Sequence, residues 1–166
     1  MPSKTDQGWL HYLLQFNAVH PRPTQEAARS GTRFFMLTIT ALLLAAFLFG
    51  GMMLYSFGFA AFLFSNLPAP EAGAILRKAF PVFYLWCIAV AGVAAGVLLF
   101  LDSTSALLMA AVAITTVPAR QNLMPAINAA TDAGDKSRFK LLHGASVLVG
   151  VAQMAAVASV LTRLIA

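Results

Sequence analysis

Charge is scarce in this sequence. Only 10% of its 166 residues are Asp, Glu, Lys or Arg, and 60% are apolar; a soluble domain carries about a quarter charged residues. So little charge cannot cover a water-facing surface, and lipid is the solvent such a chain fits. Cysteine is nearly absent as well: the single Cys87, in the apolar run YLWCIAV, excludes an intrachain disulfide and reads as packing. The opening MPSKTDQGW has no positive start followed directly by an apolar stretch. No cleavable leader is therefore expected, and the first long apolar helix should do the targeting. The sequence shows no phosphate loop, no paired carboxylates suited to acid–base work, no nucleophile with its base and no cysteine metal cluster. It is not expected to be an enzyme.

What is present is four long apolar runs. Residues 34–64 contain no charge, about thirty residues where about twenty cross the hydrocarbon core, so a first helix that tilts or protrudes is predicted. SNLPAP ends it. Pro70 and Glu71 suit the start of a second helix, which is expected to cross over 80–101 after a polar first segment. Asp102-Ser103-Thr104 makes a tight antiparallel turn with a cap for the third helix. That helix is apolar over 106–117 and then turns polar, with Pro118 and Pro125 interrupting it. Gly134 stops it, Asp135 or Ser137 caps the next, and a fourth helix should run from about Phe139 to the end. The predicted class is all-α: an integral membrane four-helix bundle over 34–166, preceded by a polar, interfacial segment over 1–33. Within that segment 6–18 reads as an amphipathic helix lying at the interface, anchored by Trp9, Tyr12, Leu13 and Phe16, and His20-Pro-Arg-Pro breaks it.

The net charge of +5 sits in short basic clusters beside the apolar runs, where anionic lipid headgroups are the expected partners and nucleic acid is not. Four crossings put both termini on one side. The basic residues of the shorter loops point those termini away from the cytoplasmic or matrix-like side of a bacterial inner membrane or an organelle membrane.

Three groups of residues stand out. His143, Ser146, Gly150 and Gln153 follow at steps of three, four and three, so they share one helix face that must point into protein. A histidine there can hydrogen-bond a neighbouring helix, relay a proton or ligate haem. No cofactor is predicted, although haem on His143 or a bound lipid would suit such a face. Arg120, Asn128 and Asp132 are expected to gather with His143, Ser146 and Gln153 as a polar cluster at one end of the bundle. Gly92 and Gly96 make a G-x-x-x-G spacing, which lets another helix approach closely. Met52-Met53 reads as lipid-facing packing rather than a copper site.

Two stretches carry a family resemblance. FSNLPAPEAGAILRKAFPVFYLW, with Glu71-Ala72-Gly73 ahead of Phe80-Pro81, resembles the small-residue hairpin of the family typified by transmembrane protein 205. RQNLMPAINAATDAG with RFKLLHGASVLVGVAQM is similar to that family's third-to-fourth helix segment. The resemblance covers about 34–160 and implies a four-helix membrane bundle. It also implies that Glu71, Gly73, Phe80, Pro81, Arg120, His143 and Ser146 are the family's characteristic positions. A more distant likeness is to a membrane-embedded four-helix protoporphyrinogen oxidase that holds haem through histidine; that enzyme carries a histidine in its first helix, and 34–64 here has none. The expected role is a non-catalytic accessory or structural subunit of a larger membrane complex, with lipids and other membrane subunits as partners. The alternatives are a small-molecule or ion transporter working as an oligomer, and a haem-binding redox protein using His143.

Overall fold

The computed structural model describes Gln15 and residues 25–166. The amphipathic segment 6–18 with its anchors Trp9, Tyr12, Leu13 and Phe16 lies outside the described residues, Gln15 apart. The chain falls into two compact units, one ending at Met36 and the other Leu37–Ala166. In the first, the described residues are helical from Gln25, and the Thr32 hydroxyl donates to the Ala28 carbonyl.

The helices are α1 (Gln25–Met53), a π-helical segment Leu54–Phe59, α2 (Ala60–Asn66), α3 (Ala69–Leu98), α4 (Ser103–Pro118), a second π segment Ala119–Leu123, α5 (Met124–Asp132) and α6 (Lys136–Ile165). They compose four helices long and apolar enough to cross a membrane: Ala28–Asn66, Ala69–Leu98, Ser103–Asp132 and Lys136–Ile165. Each of the last three has 30 residues, about 45 Å at 1.5 Å per residue, enough to cross a hydrocarbon core about 30 Å thick and emerge from it. The chain is an all-α four-helix membrane bundle.

Helix ends follow local chemistry. Pro68 precedes α3 in an extended conformation, and Pro70 falls in its first turn, where a missing N–H leaves no gap in the helix ladder. The Asp102 carboxylate accepts from the Thr104 and Ser105 amides to cap α4, and Asp135 accepts from the Arg138 amide to cap α6. Gly134 has φ +66°, a left-handed turn open to glycine without strain.

The helix limits follow the sequence signals, with a shift at the start of the fourth. The second span is helical from Ala69, with Pro70 and Glu71 in its first turn as expected, and it continues through Pro81. The fourth starts at Lys136, ahead of Phe139. In the third, the expected interruption at Pro118 and Pro125 is a widened turn rather than a break: the Met124 amide donates to the Ala119 carbonyl five residues back. Proline removes one i→i−4 bond, and one π turn accommodates the loss without ending the helix.

The core is drawn from all four spans. Ala41, Ala45, Leu48 and Met52 of the first, and Cys87, Ala91, Ala94 and Leu98 of the second, follow steps of four, three and four on one face. Met109 and Val112 of the third join Met154, Val157 and Val160 of the fourth. Alanine dominates where backbones approach, because lipid supplies no hydrophobic drive between helices and close packing must hold them. The larger apolar side chains, among them Leu43, Phe47, Val82, Leu107 and Leu148, are exposed on the outer faces, as lipid contact requires.

Candidate functional site: an inner cavity and an outer groove

The polar face of α6 borders a cavity of about 280 Å³ among the four spans. The first span contributes Ser56 and Phe57, both from its π segment; the second Phe80, Phe83 and Tyr84; the third Ala119, from the other π segment; and the fourth His143, Ser146, Gly150 and Gln153. A π turn inserts one residue into the helical repeat and rotates everything beyond it, so both widened turns aim residues into the same space.

The polar groups around the cavity are unequally satisfied. The Gln153 amide donates to the Thr115 hydroxyl at 2.9 Å and to the Thr116 hydroxyl at 3.1 Å, fastening the fourth span to the third. The Tyr84 and Ser146 hydroxyls, from the second and fourth spans, also line the cavity. The Ser56 hydroxyl has no hydrogen-bond partner among the described residues, whereas Ser65, Thr115 and Thr116 each donate to the carbonyl one turn back. His143 is exposed rather than turned into protein, unlike the half-buried Ser146, Gly150 and Gln153; its ring lies parallel to that of Phe139, centroids 5.4 Å apart, and its nitrogens have no partner among the described residues. No other histidine is described, so a haem held between two imidazoles finds only one of its ligands there. Among the described residues no group of three His, Cys, Asp or Glu could hold a metal ion.

The expected polar cluster is divided rather than gathered. Of its members, His143, Ser146 and Gln153 line the cavity. Arg120 turns to the second span, where its Nε donates to the Pro81 carbonyl at 3.2 Å. Asp132 pairs with Arg77 at 2.7 Å across the exposed ends of the second and third spans. Asn128 is half-buried and makes no hydrogen bond to the described residues.

Gly92 and Gly96 are exposed, and a Cβ added to either meets nothing within 4 Å. With Ala95, Ala106, Ala110 and Ala113 they floor an outward groove of about 390 Å³ between α3 and α4. The close approach within the chain is made instead by Gly51, where a Cβ would overlap the Trp86 ring. Sequence reasoning missed it because Gly50-Gly51 has no helical spacing motif; the hint was a bare pair of glycines within an aromatic-rich apolar run. Met52 is buried in the core rather than facing lipid, while Met53 is exposed. An aromatic stack also went unread: Tyr55 of the π segment lies flat against Phe83, centroids 4.2 Å apart with 2° between planes.

Four long apolar helices around a small-residue core define an integral membrane helical bundle. The chain belongs to the family described as Domain of unknown function (DUF4149), whose profile matches residues 43–136, more than half of its length. The match takes in the cavity walls supplied by the first three spans and ends where α6 begins. No curated protein and no solved structure matches the chain.

Proposed function

We propose that this protein is a non-catalytic membrane protein working as an accessory or structural subunit of a larger membrane assembly, with lipids and other membrane subunits as its partners. The observation that carries the reading is the outward groove at Gly92 and Gly96. The groove is open and floored by Gly and Ala alone along its α3 edge up to Leu99. Such a floor suits a passing helix, whose backbone can come close enough for dispersion and weak Cα–H contacts that larger side chains would prevent. The resemblance of 64–86 and 120–154 to the transmembrane protein 205 family is consistent with the same reading, at the level of a small membrane bundle.

The experiment is a Gly92→Leu, Gly96→Leu double variant. No described residue fills the groove, so thermal stability of the isolated protein in detergent should be unchanged, while recovery with its native assembly under gentle solubilisation should be lost. Normal stability together with normal recovery would overturn the docking role and leave the groove to lipid.

A further inference from the structure

The cavity among the four spans plays no part in docking through the outer groove, and its chemistry restricts what can enter. Among the described residues, no Asp, Glu, Lys or Arg lines it. Arg120, next to the lining residue Ala119, donates to the Pro81 carbonyl and is not part of the wall. A charged head entering this space would lose its water without gaining a counter-ion, which costs far more than burying a neutral polar group. Among its polar groups, the Ser56 hydroxyl and the His143 imidazole can each donate or accept. They therefore suit an oxygen that is either a carbonyl or a hydroxyl. Their depth is shallow: Ser56 lies ten residues before the end of the first span and His143 seven after the start of the fourth, about 15 Å and 10 Å along the helices. Phe57, Phe80 and Phe83 supply aromatic surface, and Met52, Cys87 and Met154 complete an apolar interior. A volume of about 280 Å³ is at the small end of ligand pockets, which start near 300 Å³.

We propose that this cavity binds a small, uncharged ring compound bearing hydrogen-bonding oxygens, of the benzoquinone or benzoquinol kind, taken up from the bilayer. The ring lies among the phenylalanines with an oxygen towards Ser56 and His143. Access has a structural basis: a lipid-facing apolar groove of about 710 Å³ between the third and fourth spans shares Ala119, Val149 and Gln153 with the cavity wall. A hydrophobic ligand entering from this groove has to pass between the third and fourth spans at these three residues, where Gln153 bonds Thr115 and Thr116. The inference is independent of the subunit reading.

Trp86 serves as the reporter, since its ring centroid is 5.8 Å from that of Phe83 in the cavity wall. The chain has two tryptophans, so a Trp9→Phe background leaves Trp86 alone. The full chain in lipid nanodiscs is titrated with a decyl-tailed benzoquinone. Saturable quenching is expected, weakened about tenfold or more when Ser56→Ala and His143→Ala together remove two hydrogen bonds. Gly150 lines the cavity and a Cβ there meets nothing within 4 Å, so Gly150→Phe should fill the space and abolish saturable quenching. Laurate, of similar chain length but with a charged head, should fail to compete. Quenching that does not saturate, or that is the same in both variants, is partition into lipid and overturns the site. Competition by laurate equal to that of the quinol overturns the uncharged class. Should Gly150→Phe fail to fold, the Ser56→Ala, His143→Ala pair decides alone, because neither side chain holds the bundle together by a hydrogen bond.

Discussion

At Gly51 the first span has no side chain, and the Trp86 ring lies where a Cβ would stand. A methyl group there must displace an indole that also packs edge-on against Phe47. Gly51→Ala should therefore destabilise the bundle by about 1–3 kcal/mol, the usual range for overpacking, measured by thermal unfolding in detergent; the same substitution at Gly92 or Gly96 should leave the midpoint unchanged. Asp102 is the other residue with a measurable signature. It lies outside the spans, in the turn between α3 and α4, and the Ser105 hydroxyl, with help from the Arg163 guanidinium and the Thr104 and Ser105 amides, holds its carboxyl at about 2, below the ordinary 3.8. A lowered value means that the fold favours the charged form. Its contribution is complete above about pH 4 and is lost as pH falls through about 2. Thermal midpoints recorded across that window should drop for the natural chain and stay flatter for Asp102→Asn.

Along the helices, irregularities do more positioning than the regular turns. The π segment at Leu54–Phe59 frees Ser56 for the cavity and lays Tyr55 flat on Phe83. The segment at Ala119–Leu123 sets Ala119 in the cavity wall and sends Arg120 to the Pro81 carbonyl. Pro81 itself offers no N–H to the carbonyl one turn back, so this is a stretch of helix whose polar groups are incompletely paired. Removing the guanidinium leaves the Pro81 carbonyl one donor poorer inside an apolar span. Arg120→Ala should cost about 1–3 kcal/mol, and Arg120→Lys should restore only part of it, since an ammonium lacks the planar fork. By contrast the Arg77–Asp132 pair is well exposed on both sides. Arg77→Ala should change stability by about 1 kcal/mol or less. Unfolding both variants in the same detergent compares them directly.

For the whole molecule, four spans require both ends of the chain to emerge on the same side. The fourth span ends beside the turn joining the second and third, with Arg163 bonded to Asp102 at 2.9 Å. Protease-sensitive tags at the two termini should be cleaved together, or protected together, on intact vesicles; opposite accessibility would mean an odd number of crossings.

The sequence by itself determined the lipid solvent and the number of spans. It also determined the turn at Asp102 and the stop at Gly134, because charge-free length, carboxylate caps and a left-handed glycine are local properties that need no partner to be read. The shared face of His143, Ser146 and Gln153 was legible for the same reason, helical spacing being set by the backbone. Only the tertiary structure decided what that face meets. Arg120 and Asp132 are drawn to other spans because each finds its partner there, a proline carbonyl and Arg77, and no periodicity along one helix encodes the partner on another. Gly51 was chosen over the G-x-x-x-G pair for the close approach because a tryptophan on the second span happens to face it. The cavity lies where two π turns aim residues of separate spans towards the same space. Each of these depends on the relative rotation of separate helices, which their sequences constrain only jointly.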